Sequence, residues 1–512
     1  MGSDTDQAVR NIFKGAGLVY SGLVLEMLFA FVAQVLAARY LSVGGFGGIT
    51  TGTAILNIGA IFGSVGLGRG LTRYLPRQND VDRRSSAQVA LFITAPVSII
   101  LGLLVAFNAE VIATQIFGDP TVIVSVQIFG ATIPFAALLT VGIGGIRGQQ
   151  RAREHVYIEN ILRPTLRFGL IIAAVLYGLG QAAFASAYAI PYAIGAVVAL
   201  YYFLTAVPGS LSTFIINRGQ AEELLRFSLP FTITSATSFI YRSSDIFLVL
   251  YFLNSTAVGI YGVAYAAAQL VSIVSTAFNY LGEPVASKVE SNSGLTDMFR
   301  VHQSILRWSL IASVPIIVPF VFFPVEFIST VYRAEYASGA STLLILTIGF
   351  GIHNVLSTKA NILSALGKST ELAVNNTLAA VTNIGLNILL IPSWGIVGAA
   401  VATVVAYLLR DLMMILEVWY HTGQTGFSRA TITPGLIALP LFGIAALISP
   451  IIPKTVPWII AFTALFSVSY LVAVVVGSGL TAEDVMLIRS LQEQYGLESQ
   501  RLDAVLDQYS RD

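Results

Sequence analysis

Residues 239 to 252 read FIYRSSDIFLVLYF. Arg242 and Asp245 stand three positions apart in a stretch otherwise fit for hydrocarbon, and positions i and i+3 share a helix face. In a helix begun near residue 228, Arg242 lies about 21 Å along at ~1.5 Å per residue, deeper than midway across a bilayer. A charge at that depth costs roughly 2.5 to 3.5 kcal/mol on insertion scales. Neither side chain is therefore expected to face lipid, and both should project into a helix bundle, with Tyr241 and Ser244 flanking them. They serve there either as a functional site or as a structural salt bridge that merely neutralises both. Glu26 stands midway along another apolar stretch, either as a buried protonated carboxyl bonded to a neighbouring helix or as a proton or sodium site. Arg39 ends that stretch.

These residues need helices to hold them. The chain has 512 residues, is 55% hydrophobic and only 11% charged, with a mean hydropathy of +0.79. That is far more apolar than a soluble protein of this length, so the chain reads as a polytopic membrane protein. A helix needs roughly 20 apolar residues to cross about 30 Å of hydrocarbon, and about 14 such runs occur. They are 15–40, 46–68, 87–109, 121–146, 157–179, 182–207, 228–252, 256–281, 305–331, 338–362, 372–392, 395–418, 432–452 and 457–478. The first is too long for a signal peptide and lacks its small-residue cleavage pattern, so it is expected to be retained.

Orientation follows from the 28 Lys and Arg. With the N-terminus inside, Arg242 lies within the membrane, only Arg39, Arg333 and Lys454 fall outside, and all others fall inside, as the positive-inside rule requires. Both termini are thus expected to be cytoplasmic. The near-neutral total, +1, conceals this asymmetry and gives no argument for nucleic acid. With no Cys there is no thiol nucleophile or disulfide framework, and four scattered His make a clustered metal site improbable. GKST at 367–370 resembles the end of a phosphate-binding loop, but that motif needs Gly at 362, where Ile362 stands. No cofactor and no enzymatic activity are expected.

An internal duplication organises the segments. LSVGGFGGITTGTAILNIGAI (41–61) matches LNSTAVGIYGVAYAAAQLVSI (253–273), pairing Leu41 with Leu253, Gly47 with Gly259 and Ala54 with Ala266. GLGQAAFAS (178–186) matches GIVGAAVAT (395–403), pairing Gly178 with Gly395, and the same register aligns Arg151 with Lys368 and Glu154 with Glu371. Six segments separate the copies, so the halves have one orientation and are related by an axis along the membrane normal. The expected architecture is all-α: two parallel six-helix lobes plus two extra C-terminal helices. The expected boundaries are a cytoplasmic segment at 1–14, an N-lobe at 15–222, a C-lobe at 223–420, two helices within 421–480 and a cytoplasmic amphipathic tail at 481–512.

With ARYLSVGGFGGI after the first segment, SSDIFLVLYFL in the seventh, ALGKSTELAVNN before the eleventh and WGIVGAAVAT opening the twelfth, the chain resembles the polysaccharide-biosynthesis, or O-antigen-type, flippases. These belong to the multidrug/oligosaccharidyl-lipid/polysaccharide exporter superfamily. The resemblance covers most of the chain to about residue 480. It implies a membrane transporter, a flippase that carries a polyprenyl-phosphate- or pyrophosphate-linked oligosaccharide from the cytoplasmic to the outer leaflet of the cell membrane by alternating access. Such a cargo needs cationic and hydroxyl-rich groups in a cavity open to lipid. Arg242 would attract the phosphate while Asp245 pairs with it or titrates. Arg39 would hold the phosphate in an outward-facing state or snorkel to headgroups. Tyr241 flanks the pair, and Tyr261, Tyr265, Gln269, Asn279 and Tyr280 would contact sugar or, at the span ends, mark the aromatic belt. Glu26 and Asp245 are the candidates for coupling to H+ or Na+. Glu283 and Lys359 read best as interface anchors.

Two other classes compete. An ion-coupled antiporter of drugs or small metabolites shares the architecture and fits Glu26, but a deep arginine counts against it. A membrane glycosyltransferase would need a sizeable soluble loop, and the loops here are short. The tail, TAEDVMLIRSLQEQYGLESQRLDAVLDQYSRD, is amphipathic and net negative. An anionic leaflet would repel it, so it is expected to pack on the transporter or on glycan-assembly proteins.

Overall fold

The structure is a computed structural model and describes residues 26–207, 218–273 and 295–478. The regular secondary structure of those residues is helical throughout, with no strand. α1 covers 26–40, followed by α2 (Val43–Ser64), α3 (Leu67–Tyr74), α4 (Asp80–Phe107), α5 (Ile123–Gly148), α6 (Arg163–Leu176), α7 (Gln181–Thr205), α8 (Arg218–Phe252) and α9 (Ser255–Gln269). Then come α10 (Leu295–Phe322), α11 (Pro324–Val331), α12 (Ala340–Leu356), α13 (Lys359–Ala365), α14 (Ser369–Thr422), α15 (Arg429–Ile448) and α16 (Val456–Ser478). The expected tail at 481–512, Glu283, Asn279 and Tyr280 lie outside the described residues.

Nine helical segments among the described residues are long and apolar enough to cross a membrane. They coincide with the expected segments two to four, six, and nine to fourteen, the eleventh and twelfth both falling within α14. The first and eighth run on beyond the described residues. The fifth is interrupted by a π-helical stretch, Tyr157–Leu162, ahead of α6. The seventh, α8, is diluted by hydroxyls and by Arg242 and Asp245.

Local chemistry explains where these helices start and stop. Ser42 caps α2 by accepting the Gly45 N–H at 3.0 Å, and Asn79 caps α4 from Asp82 at 2.9 Å, each satisfying an orphan donor of a first turn. Ser428 and Thr431 form a reciprocal capping box at the head of α15. Val65 and Gly66, both at positive φ, separate α2 from α3. α14 is really two helices. Gly395, three residues after Pro392, has φ 57° and ψ −139°, a conformation glycine alone adopts without strain.

The chain divides into two units. Unit 1 holds the described residues up to Ala264, with Val331–Gly339 and Asn376–Thr403; unit 2 holds the described residues of Tyr265–Thr330, Ala340–Asn375 and Val404 onward. In unit 1, α5 is central, packing on α2, α4 and α7, and α8 packs on α2, α3 and α4. Close approach depends on small residues: a methyl on Gly142 would lie 2.9 Å from the Ala199 methyl. In unit 2, α10, α15 and α16 share a core built on Val318, Phe323, Phe466 and Tyr470. Outer faces are apolar, as lipid requires; Leu176 and Leu447 are each 77% exposed.

Candidate functional site

α8 carries Asp245 into the interior of unit 1, where it is only 2% exposed. One carboxylate oxygen accepts the Ile246 N–H at 3.0 Å, and the other accepts a short hydrogen bond from the Tyr261 hydroxyl and a longer one, 3.4 Å, from Thr403. A second layer adjoins it. Ser244 donates to the Asn383 side-chain oxygen at 2.9 Å, Asn387 donates to the same atom at 3.0 Å, and Asn383 donates to Thr403 at 3.3 Å. Asn383, Asn387 and Thr403 are all buried, and the Asn387 side-chain oxygen has no hydrogen-bond partner. A carboxylate among hydroxyl and amide oxygens is the donor set that a hard cation takes, and the carboxylate is equally able to hold a proton.

Arg242 lies one turn earlier on the same helix and is exposed, whereas Tyr241 is buried. The pair thus spreads over two environments, with Asp245 inside the bundle and Arg242 at its surface. Tyr261 is 1% exposed and spends its hydroxyl on Asp245, which removes it from the expected sugar contacts.

α6 and α7 form a second polar region of unit 1. Arg163 and Arg167, one turn apart on α6, lie over the rings of Tyr192 and Tyr188, one turn apart on α7, at 4.3 and 5.4 Å. Glu159 binds His155 at 2.7 Å and lies 4.0 Å from Arg163. Asn160 donates to Glu26, so that half-buried carboxyl is bonded to a neighbouring helix. A cavity of about 380 Å³ opens beside these groups, with Arg69, Arg163, Glu159, Tyr192, Thr140 and Ser235 in its wall. A second, of about 230 Å³, includes Arg167, Tyr188, Gln34, Thr50 and Ser243, and Asn57 lines both. Cationic guanidinium groups, a counter-charge and hydroxyls suit a polar anionic ligand such as a phosphorylated sugar.

The remaining expected residues have other surroundings. Arg39 donates to the Tyr332 carbonyl at 2.7 Å, while Arg333 and Tyr336 donate to the carbonyls of Leu41 and Ala38, so the 331–339 segment satisfies the open C-terminal end of α1. Tyr265 is half-buried in unit 2 with its ring 5.3 Å from Phe350, and Gln269 is exposed. Lys359, expected at the membrane interface, is fully buried over Phe427 and 3.0 Å from His302.

In the sequence, Arg69, Arg163 and Arg167 read as cytoplasmic charge, and hydropathy does not mark Asn383, Asn387 and Thr403. The asparagines had a signal, since two amides at i and i+4 in an apolar helix share one buried face.

Residues 12–290 match the family described as polysaccharide biosynthesis protein. The chain is 25% identical over 451 residues, 86% of this chain and 89% of the relative, to the "Probable low-salt glycan biosynthesis flippase Agl15" of Haloferax volcanii. It is 21% identical to the "Probable flippase AglR" of the same organism, over 78% of this chain and 82% of that one. Among solved structures, "Lipid II flippase MurJ, inward closed conformation" superposes with a TM-score of 0.72 at 14% identity, covering 90% of this chain and 98% of that one. An inward-facing multidrug resistance transporter of the MATE family and MOP superfamily gives 0.60 at 14%, covering 80% and 99%. At such identities the likeness establishes the fold. The family match extends over more than half of the sequence, and the chain belongs to the polysaccharide biosynthesis protein family.

Proposed function

We propose that this protein is a flippase that moves a polyprenyl-phosphate- or pyrophosphate-linked oligosaccharide from the cytoplasmic to the outer leaflet of the cell membrane by alternating access. The observation that carries the reading is the arginine-bearing polar cavity within a unit whose outer faces are apolar. A carrier of neutral or cationic drugs has no use for Arg69 and Arg163 in its wall. The glycan flippase relatives support the same cargo class. Phosphate would meet the α6 arginines, with Arg242 at the surface of α8 as an approach point, and Arg39, Tyr241, Tyr265 and Gln269 would act on the glycan or at later stages of passage. Asp245 and its oxygen shell would take H+ or Na+, with Glu26 as a second coupling carboxyl. Both termini would be cytoplasmic, and the 481–512 tail would meet glycan-assembly proteins.

The test is mass spectrometry of lipid extracts from cells with and without the gene, with leaflet-resolved labelling of glycan. Accumulation of one lipid-linked oligosaccharide on the cytoplasmic side is expected in the deletion, with no rescue by Arg163→Ala plus Arg167→Ala. An unchanged lipid pool would transfer the assignment to an antiporter of small metabolites.

A further inference from the structure

Unit 2 contains an acid–base pair that the cargo site does not use. His353 on α12 and Asp411 on the second part of α14 are hydrogen-bonded, Nδ1 to Oδ2, at 2.6 Å. His353 is the lone acid or base of α12, and Asp411 follows Arg410 in an otherwise apolar stretch of α14. His353 lies about 20 Å from the start of α12 and Asp411 about 24 Å beyond the Gly395 break at ~1.5 Å per residue, so two helices bring them to one depth. The carboxylate side chain has no exposure and the imidazole retains 16%. The imidazole ring also sits 4.5 Å from the ring of Tyr407, which stacks on Phe350 at 5.7 Å.

Two buried polar atoms here have no hydrogen-bond partner. Oδ1 of Asp411 is one, and the side-chain nitrogen of Asn354, adjacent in sequence to His353, is the other. Buried polar groups are nearly always satisfied, and each exception asks for an explanation in terms of a missing ligand or a working role. A pair built only to staple α12 to α14 would not need an unsatisfied carboxylate oxygen at its centre.

We propose that His353 and Asp411 form a proton-binding site in unit 2, separate from the Asp245 site, and that its loading sets the state of the helices that carry it. The chemistry is simple. With imidazole neutral, Nδ1–H donates to Asp411 and Nε2 is the vacant base. One proton added at Nε2 gives an imidazolium–carboxylate pair of zero net charge. Its loss leaves one uncompensated negative charge in a low-dielectric interior, a state that favours separation of the helices and entry of water. His353, the partly exposed member, is the port through which the proton comes and goes. Among described side chains, the other titratable or charged groups on the surrounding elements are Tyr407, Arg410, Glu417, Tyr420 and the Glu371–His421 pair on α14, Tyr265 against Phe350, and His302 and Arg307 on α10, which packs on α12. Lys359 contacts His302 and belongs to that second group.

Histidine-ring NMR of the full-length protein in lipid nanodiscs tests the site directly, because the chain has only four His. The resonance lost in His353→Gln is expected to respond to pH, and Asp411→Asn is expected to change that response by at least about tenfold in proton concentration. A midpoint unchanged by Asp411→Asn overturns the proposal. The second measurement is flipping of a fluorescently labelled polyprenyl-phosphate-linked hexose in proteoliposomes with and without an imposed pH gradient. The parent protein is expected to accelerate with the gradient, while His353→Gln retains downhill flipping and loses the acceleration; an equal response in the two proteins overturns the coupling. Failure of the parent to move this lipid at all would count against the flippase reading instead, and the NMR midpoint would still decide the proton site. Both variants preserve size and polarity, and thermal unfolding of each in nanodiscs confirms that the site is altered in a folded protein.

Discussion

Asp245 concentrates the chemistry of unit 1 in one carboxylate. Its two oxygens receive a backbone N–H, a tyrosine hydroxyl and a threonine hydroxyl, and each bond to a charged group is worth about 1.5–3 kcal/mol. Asp245→Asn keeps the shape and removes the charge, so the protein is expected to fold, to bind cargo and to lose ion-dependent turnover by tenfold or more. Transport assayed across sodium and pH gradients measures this, and unchanged ion dependence would exclude Asp245 from coupling. Part of the site was legible at this scale. A carboxylate in a span announces itself against hydrocarbon, and so did Glu26. Asn383, Asn387 and Thr403 did not, because uncharged amides and hydroxyls are tolerated in membrane helices and acquire meaning only when separate helices bring them to one point. Arg163 and Arg167 were hidden for the opposite reason, since a charge near a cytoplasmic loop already has an explanation in topology.

The elements are joined by contacts that depend on missing side chains. A methyl on Gly47 of α2 would come within 1.8 Å of the Ser255 carbonyl oxygen, and one on Gly259 of α9 within 2.3 Å of the Val43 oxygen. The two glycines are the partners matched by the internal duplication, and they face each other as equivalent residues beside a local two-fold axis would. Other matched pairs behave alike: Gly178 and Gly395 both have positive φ, at 61° and 57°, and Arg151–Glu154 and Lys368–Glu371 both pair, at 2.6 and 3.9 Å. Gly47→Ala is expected to cost roughly 1–3 kcal/mol or more through overpacking against backbone that cannot yield, read as a lower unfolding temperature in detergent. A second junction is electrostatic. Asp119, in the loop before α5, accepts the N–H groups of Thr121 at 3.0 Å and of Ser255 at 2.7 Å, capping α9 from a distant part of the chain. Burial pushes its carboxyl up, but the hydrogen bonds from Thr121 and Ser255 outweigh that and hold it below the ordinary carboxylate range. A depressed acid stabilises the fold above its unfolded pKa, and the contribution is lost as pH falls through the folded one. Asp119→Asn is therefore expected to lower stability by about 1–3 kcal/mol at neutral pH. The difference from the parent should vanish only in strong acid, as thermal scans at several pH values would record.

For the whole molecule, alternation of apolar runs with polar breaks located the helices because hydrocarbon allows few alternatives, every backbone group having to be satisfied within its own segment. The partition into contact units was not written in that pattern. α8 follows the first six segments in sequence yet packs on α2, α3 and α4, since packing is decided by glycine and hydroxyl faces that hydropathy averages away. Orientation is a separate inference, carried by charge: Arg69, Arg73, Arg77, Arg83 and Arg84 crowd one break between segments, and Arg147, Arg151 and Arg153 another, while Arg39, Arg333 and Lys454 are the few expected on the opposite side. A chain with no cysteine allows a direct test, because each introduced thiol is the sole target of a maleimide. In intact cells, a membrane-impermeant maleimide is expected to label Lys454→Cys and to spare Arg83→Cys and Arg153→Cys, which should react only after permeabilisation. Labelling of Arg83→Cys from outside would invert the orientation. It would also reverse the direction of cargo movement, since the arginines of α3 and α6 that line the cavity would then lie nearer the outer leaflet.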